Sequence, residues 1–333
     1  MSKLKYERKN IKKWAKEHYH GLENCLMATF NRDFTDIDEA GIRLDVSQSI
    51  KHGFTKMLIV TDCGTTIPEC KRMIEIIVDE AKGRIFSSLW LGFDNLKIQL
   101  EMLRFGEDIG IDSVLMHYPE SEDFECEEDI FEYTKKISDA TDLAIDLYGS
   151  HKYNFERFHP STFSAKLIAR MAKFENVAGY KEGVIDFGHL AEVFEYCGKD
   201  LLPMVPADLF FPIFVTKYGM QWAGGCPYEF YQDTENRQMV KYFQTLQDGR
   251  FEEAMETYWK LLPIRFFIGA QTLKQVELGT YNYNQWKYAQ WLTGGAGGHV
   301  RMPSMKLYEH DKEGIKNMMR ASGVNVRDNK YPY

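Results

Sequence analysis

Short apolar segments alternate with longer amphipathic segments along most of the chain. The short segments are rich in valine, isoleucine and leucine, which is typical of strands buried on both faces of a parallel sheet. The longer segments repeat apolar residues every three or four positions, which is typical of helices that cover a sheet. The pattern therefore predicts strands at Glu23–Phe30, Lys56–Thr61, Ile85–Leu91, Ser113–His117, Leu143–Tyr148, Val177–Lys181, Leu201–Val205 and Met220–Ala223.

A helical segment follows each of these strands. The predicted helices span Asp38–Lys51, Pro68–Ala81, Asn95–Ile109, Glu127–Ala140, Pro160–Lys173, Phe187–Tyr196, Leu209–Lys217 and Tyr228–Leu246. Eight successive strand–helix units, with a period of about 30 residues, predict an α/β fold of the closed (β/α)8 TIM barrel type. A doubly wound open sheet is the alternative, but no GxGxxG fingerprint follows the first strand and no GxxxxGK[ST] phosphate loop is present.

Beyond residue 247 the strand pattern stops, and four further helical segments follow at Phe251–Leu262, Phe266–Val276, Tyr283–Leu292 and Asp311–Ser322. The first residues of the chain are basic and favour a helix that packs against the barrel. We therefore expect three parts: an N-terminal helical leader at residues 1–21, the barrel at residues 22–246, and a C-terminal helical extension packed on the barrel at residues 247–333.

The composition is that of an ordinary globular protein, with 44% hydrophobic and 27% charged residues. The net charge of −8 disfavours nucleic acid as a partner and favours work on small molecules. No apolar stretch approaches the roughly 18 residues of a membrane span, so no membrane association is expected.

The six cysteines are scattered, with no CxxC pair, and the polar start of the chain does not have the apolar core of a signal peptide. We therefore expect a cytoplasmic protein with free and mostly buried thiols. The nine histidines show no HxxxH pair of the metalloprotease type, so a metal site is not expected.

Lys181 is the most informative residue, because it places a charged amine inside the apolar strand that begins at Val177. Burying an ammonium group is costly, so a lysine in such a strand usually loses its proton or pairs with a carboxylate. An unprotonated lysine is a nucleophile that can form a Schiff base with a ketone. The alternative is a lysine at the end of the strand that reaches solvent beside Glu182.

Polar residues gather at the carboxyl ends of several other predicted strands, where TIM barrels carry their active sites. The candidates are Gly64, Thr65 and Thr66 after the second strand, His117 and Tyr118 at the fourth, Tyr148 at the fifth, Gly183 after the sixth and Asp208 after the seventh. Five of these residues have a structural alternative. The threonines and Asp208 can cap helices, Tyr148 can be a buried tyrosine with a satisfied hydroxyl, and His117 can line a pocket wall.

Together these residues would make a complete Schiff-base site. Lys181 would capture a carbonyl, and the Tyr148 hydroxyl would move protons to and from the carbinolamine. The Gly-Thr-Thr segment precedes Pro68 at a helix start, where backbone N–H groups and the helix dipole favour a carboxylate. This chemistry requires neither a metal nor an organic cofactor.

The same residues resemble the dihydrodipicolinate synthase/N-acetylneuraminate lyase family of class I aldolases over roughly residues 22–322. The matching motifs are Asp36–Gly41, Gly53–Phe54, Cys63–Thr66, Leu147–Tyr148, Gly179–Glu182, Asp248–Ala254 and Val300–Pro303. The resemblance implies that Lys181 forms the Schiff base with pyruvate or another 2-oxo acid, that Tyr148 shuttles protons and that Thr65 and Thr66 bind the carboxylate. It also implies an aldehyde as the second substrate or product, and a homo-oligomer, either a dimer or a tetramer.

Three departures from the family pattern separate this chain from the lysine-pathway synthases. Ile67-Pro68 follows the two threonines where Gly-Glu is common, His117–Glu120 replaces a Pro-Tyr-Tyr segment, and Tyr148-Gly149-Ser150 replaces Tyr-Asn-x-Pro. The segment from Phe155 to Pro160 is more similar to the hydratase-aldolase branch, which acts on aryl-substituted 2-oxo acids. A sugar-acid dehydratase that uses the same imine, and a catalytically retired barrel that binds a ligand, are the alternatives.

Overall fold

The computed structural model describes residues 4–225, 227–277 and 280–333, and its strands form one eight-stranded sheet. The strands are β1 (Gly21–Leu26), β2 (Lys56–Ile59), β3 (Phe86–Trp90), β4 (Ser113–Leu115), β5 (Ala144–Gly149), β6 (Val177–Glu182), β7 (Leu202–Met204) and β8 (Trp222–Gly224). Each of the eight predicted strands is thereby confirmed.

The helices alternate with the strands up to residue 224 and then follow one another. They are α1 (Ile11–His18), α2 (Glu39–Lys51), α3 (Ile67–Ala81), α4 (Leu96–Ile109), α5 (Glu127–Asp139), α6 (Ala165–Met171), α7 (Phe187–Cys197), α8 (Phe211–Lys217), α9 (Gln238–Gln247), α10 (Phe251–Lys260), α11 (Leu262–Glu277), α12 (Tyr283–Leu292) and α13 (Glu309–Ala321).

The strand order is β7-β6-β5-β4-β3-β2-β1-β8, so that chain neighbours are sheet neighbours except at β8. The register is parallel in β1–β2 and from β3 through β7. The two strands at the ends of this order are joined, because the indole N–H of Trp222 on β8 donates to the carbonyl of Leu202 on β7 at 3.2 Å. This is the predicted (β/α)8 barrel, followed by C-terminal helices.

The chain divides into two compact units. One contains the residues up to 20 and Phe86–Gly224, and therefore carries α1, β3 to β8 and the helices between them. The other contains Gly21–Ile85 and Gly225–Tyr333, and therefore carries β1, β2 and the C-terminal helices. The predicted borders after residues 21 and 246 stay a prediction.

The N-terminal leader contains helix α1, and it contacts the amino ends of neighbouring strands. The Tyr6 hydroxyl donates to the carbonyl of Asp112, just before β4, and accepts from the N–H of Ala144 at the start of β5. Trp14 of α1 is buried and packs edge-on against Phe86 at the start of β3. The leader thus lies at the amino ends of these strands, whereas Lys181 lies near the carboxyl end of β6.

Two predicted helices begin later than the periodicity indicates. The predicted helix from Pro160 starts at Ala165, because Thr162 has a left-handed backbone (φ +68°) and the Ser164 side chain caps the N–H of Leu167. The predicted helix from Tyr228 forms only a short 3-10 turn and then resumes at Gln238. Between them the Asp233 carboxylate accepts from the N–H groups of Glu235 and Asn236, which holds a turn in place of a helix.

The cysteines of the described residues are mostly buried, as the sequence predicts. In the described part of the chain, Cys25, Cys63, Cys70 and Cys197 are buried free thiols and Cys126 is an exposed one, while Cys226 lies outside the described residues. Across the same residues, no helix combines the length and the apolar character that crossing a membrane requires.

Candidate active site

Lys181 and Tyr148 are register partners on the adjacent strands β6 and β5. Both are buried, with 3% and 1% of their surfaces exposed, and the Lys181 Nζ lies 4.7 Å from the centre of the Tyr148 ring. The alternative in which Lys181 reaches solvent is therefore wrong. The pair places an amine and a phenol at the carboxyl ends of two neighbouring strands, where the sequence predicts the chemistry.

Gly183 fixes the position of the Tyr148 ring. Its backbone N–H donates to the carbonyl of Gly149 at 2.9 Å, which extends the β5–β6 pairing past Lys181. A Cβ atom at position 183 would lie 2.3 Å from Cε2 of Tyr148 and 2.5 Å from the Gly149 carbonyl oxygen. Only glycine fits there without displacing the ring or the strand, and a pocket role for Gly183 stays a prediction.

Aromatic rings surround Tyr148, and most of them are not among the residues predicted from the sequence. Trp90 packs edge-on against Tyr148 with a centroid distance of 5.4 Å, and the Lys152 Nζ lies 4.6 Å from the Trp90 ring. His117, a predicted wall residue, lies between Trp90 at 5.9 Å and Tyr153 at 5.3 Å. Trp90 ends β3, so the strand-end rule that selected the other candidates would also have found it.

Tyr118 directs its hydroxyl toward helix α5. The hydroxyl lies 2.7 Å from Thr134 Oγ1, and burial raises the pKa of Tyr118 above its ordinary value. Its ring packs against Tyr153, Phe155 and Phe163, which belong to the segment after β5. Tyr118 thus supports the segment that carries Lys152 and Tyr153.

Asp208 is buried after β7, but it is not the helix cap that the sequence favours. It is the first residue of the 3-10 turn Asp208–Phe210, whose N-cap is Ala207, and α8 begins only at Phe211.

Glu182 is held on the opposite face of β6 from Lys181. Its carboxylate accepts from the Tyr180 hydroxyl at 3.1 Å and from the N–H of Val184 at 3.2 Å, and it lies 2.5 Å from His189 Nδ1 on α7. Burial lowers the pKa of His189 and the bond to Glu182 raises it, with a net rise above the ordinary value. This pair, which sequence reasoning missed, anchors the end of the strand that carries Lys181.

In the second unit, the two predicted anion-binding threonines lie between β2 and α3. Thr66 is the N-cap of α3: its hydroxyl accepts from the N–H of Glu69 at 3.3 Å and donates to the Glu69 carboxylate at 2.8 Å. The Thr65 hydroxyl donates to the carbonyl of Thr61 at 3.2 Å. The capping alternative therefore holds for Thr66, and an anion at this helix start would meet the positive end of the helix dipole.

The C-terminal helices also contribute to this end of β2. The Tyr283 hydroxyl on α12 donates to the Asp62 carboxylate at 2.8 Å. Burial and the nearby charge of Asp62 raise the pKa of Tyr283 well above its ordinary value, so the phenol stays protonated and continues to donate. The helical extension thus fixes the residue that precedes Cys63 and Gly64.

Known proteins are similar to this chain in sequence and in fold. The sequence profile of the Dihydrodipicolinate synthetase family matches residues 18–322. The chain is 25% identical over 309 residues to the 4-hydroxy-tetrahydrodipicolinate synthase of Methanopyrus kandleri, which covers 91% of this chain and 96% of that protein. It is 24% identical over 318 residues to the enzyme of the same name from Methanocaldococcus jannaschii, which covers 92% of this chain and 99% of that protein.

Solved structures show the same fold. A dihydrodipicolinate synthase from Thermotoga maritima matches with a TM-score of 0.75 and 17% identity, over 92% of this chain and 99% of that one. An N-acetylneuraminate lyase from Fusobacterium nucleatum matches with a TM-score of 0.72 and 21% identity, over 91% and 98%. Because the family profile spans most of the chain, the protein belongs to the dihydrodipicolinate synthetase family and is a carbon–carbon lyase similar to dihydrodipicolinate synthase.

Proposed function

We propose that the enzyme forms a Schiff base between Lys181 and the ketone of a 2-oxo acid, and makes or breaks the carbon–carbon bond next to it. The observation that carries this proposal is the buried Lys181 amine, 4.7 Å from the Tyr148 ring at the carboxyl ends of β5 and β6. A buried amine beside a phenol has both the nucleophile and the proton donor that imine formation requires.

The proposed cycle begins with imine formation at Lys181 and ends with hydrolysis of the imine. The Lys181 amine attacks the keto carbon, and the N–H proton that it releases passes through Tyr148 to the carbonyl oxygen, which gives a neutral carbinolamine. The carbinolamine hydroxyl takes a second proton, supplied from solvent through Tyr148, and leaves as water, which gives a protonated imine. In the cleavage direction, Tyr148 accepts the proton of the substrate's hydroxyl, the carbon–carbon bond breaks to release an aldehyde, and its electron pair passes into the imine as an enamine. Protonation of the enamine and hydrolysis return the 2-oxo acid and the free amine.

We assign the carboxylate of the 2-oxo acid to the segment Gly64–Thr66. Two features support this assignment: the resemblance of the segment to the family's Gly-Thr-Thr loop, and its position at the start of the 15-residue helix α3. Carboxylate binding would orient the ketone for attack, and such orientation lowers the barrier to a bond-forming step.

The aldehyde side of the substrate is best matched by an aryl or other planar apolar group. Trp90, His117 and Tyr153 form a connected row of rings that begins at Tyr148. Such rings favour a flat partner over a small charged one, which supports the hydratase-aldolase interpretation.

A homo-oligomer remains part of the proposal and can be tested by light scattering on the purified protein.

The test is reductive trapping. Borohydride added with pyruvate should reduce the imine and add a covalent mass to the peptide that contains Lys181. Lys181→Ala and Lys181→Arg should abolish both trapping and turnover, because arginine stays protonated. Lys287, which is fully buried, is the internal control for reaction at another buried lysine.

The outcomes separate the candidate functions. An adduct on a lysine other than Lys181, or wild-type turnover in Lys181→Ala, would overturn the mechanism. No adduct with any 2-oxo acid would favour a retired ligand-binding barrel. With trapping established, product analysis distinguishes an aldolase, which releases a 2-oxo acid and an aldehyde, from a sugar-acid dehydratase, whose product keeps all the carbon atoms of its substrate.

A further inference from the structure

Arg301 in the C-terminal tail forms a bidentate ion pair with Glu69 of helix α3. Its Nη1 lies 2.7 Å from Oε2 of Glu69, and its Nη2 lies 2.8 Å from Oε1. The two side chains are 19% and 15% exposed, so solvent reaches the pair only in part. Two parallel N–H bonds from a guanidinium to a carboxylate fix the orientation of both side chains and also stabilise the pair electrostatically.

Further contacts hold Arg301 in place on the segments that follow β1 and β2. Its Nε donates to the Phe34 carbonyl at 2.9 Å, and its backbone N–H donates to the Cys63 carbonyl at 3.2 Å. The guanidinium lies 4.3 Å from the centre of the Phe30 ring. Gly64 has φ +78°, and a Cβ atom there would lie 2.5 Å from Cβ of Arg301. The arginine is thus built into the segment to which we assign the substrate carboxylate.

Glu69 places a negative charge on that same segment. Its Oε2 accepts from the N–H of Thr66 at 2.9 Å and from the Thr66 hydroxyl at 2.8 Å. The hydrogen bonds from Arg301 lower the pKa of Glu69 to about 2, so the group is ionised at neutral pH. A substrate carboxylate bound at Thr65 and Thr66 would lie close to this anion, and two neighbouring carboxylates repel each other unless a cation offsets one of them.

We infer that Arg301 is a positioning residue for the 2-oxo acid: it holds Glu69 in its capping position and offsets its charge, so that the Gly64–Thr66 segment can accept a second carboxylate. This inference rests on the proposed function. It gives the tail motif Val300–Pro303 a role in substrate affinity, although Arg301 itself need not touch the substrate.

The test measures the pyruvate concentration that gives half-maximal borohydride trapping at Lys181, which requires no knowledge of the aldehyde. In Arg301→Met, the unpaired Glu69 should raise this concentration by about tenfold or more, while the maximal amount of adduct stays unchanged. Arg301→Met combined with Glu69→Gln should recover most of the affinity. Arg301→Lys keeps the positive charge but loses the two parallel hydrogen bonds to Glu69, so it should give a smaller shift in this pyruvate concentration. It replaces Arg301→Met in the test if the methionine variant does not fold.

Two controls isolate the electrostatic effect. Arg72→Met removes a cation from the same helix, where Arg72 pairs with Asp36 at a more exposed position, and it should leave trapping unchanged. Methyl pyruvate, an uncharged ester, should be trapped equally well by wild type and Arg301→Met.

Failure of the role assigned to Arg301 and failure of the proposed function give different trapping results. If wild type traps pyruvate on Lys181 and Arg301→Met does so at the same concentration, only the role of Arg301 is overturned. The same holds if the shift is equally large with methyl pyruvate, because the effect is then a distortion of the loop. If wild type forms no adduct on Lys181 with any 2-oxo acid, the proposed function fails and the inference falls with it.

Discussion

Lys181 and Tyr148 face each other across the β5–β6 ladder, with the lysine amine 4.7 Å from the centre of the tyrosine ring. This contact follows from two elementary facts. Side chains alternate along a strand, and parallel register places partners on the same face of the sheet. Because Gly183 and Gly149 continue the pairing just beyond the two residues, the contact is held by backbone hydrogen bonding as well as by side-chain packing.

Tyr148→Phe should separate imine formation from proton transfer. Phenylalanine keeps the ring beneath the Lys181 amine but removes the hydroxyl, so trapping with pyruvate should still occur slowly while turnover falls about 10²–10⁴-fold. Tyr153→Phe is the matched control, since the Tyr153 hydroxyl donates to the Met116 carbonyl at 3.2 Å. Comparable losses in the two variants would argue against a proton-transfer role specific to Tyr148.

Gly183→Ala should damage the site through sterics alone. The new methyl group would lie 2.3 Å from Tyr148 Cε2, so the ring or the strand end must move, at a cost of about 1–3 kcal/mol in the free energy of unfolding. Turnover should fall by more than tenfold, as expected for misplaced reacting groups.

Gly188→Ala on α7 is the control for this variant, because the nearest atom to its added Cβ lies at an ordinary 3.5 Å. It should be neutral or stabilise the fold by about 0.5–1 kcal/mol. Denaturant unfolding and initial rates measure both effects. A Gly183→Ala enzyme with normal turnover would show that the position of the Tyr148 ring does not matter.

The sequence was informative wherever the relevant signal is local. The two-residue period of strands and the charge inside an apolar segment were enough to place Lys181 and Tyr148 on neighbouring strand ends. Arg301 and Glu69 are separated by 232 positions, and no local pattern pairs two residues so far apart. The start of α9 was missed for a different reason: the Asp233 carboxylate binds the N–H groups of Glu235 and Asn236, and this competes with the helix that the periodicity favours.

The contribution of His189 to stability should depend on pH. Its pKa is raised in the folded state by Glu182, with Asp186 adding to the rise, whereas in the unfolded chain it returns to about 6.5. The bond to Glu182 therefore stabilises the fold fully below that value, and the stabilisation is lost as the pH rises through the folded-state pKa. The difference in unfolding free energy between wild type and His189→Asn should thus be larger at pH 6 than at pH 9. A difference that is constant or grows with pH would contradict this assignment.

Lys287 offers a test of a buried lysine that serves structure and not catalysis. It lies on α12, and its Nζ donates to Thr29 and to the Asp45 carboxylate, the latter at 3.1 Å, while Asp45 also accepts from the N–H of Ala296 at 2.8 Å. The side chains of Lys287 and Asp45 are 0% and 6% exposed. Removing one partner of such a pair leaves an uncompensated buried charge, so Lys287→Met should destabilise the fold by about 3–5 kcal/mol.

Lys287→Met combined with Asp45→Asn should recover part of that loss, because the remaining polar group is no longer charged. Urea unfolding of the two single variants and the double variant gives the coupling between the residues. The folded fraction of Lys287→Met should still be trapped by pyruvate and borohydride at Lys181, since the pairing of Lys287 with Asp45 assigns it no chemical step. Loss of trapping in a folded Lys287→Met protein would instead place Lys287 in the reaction.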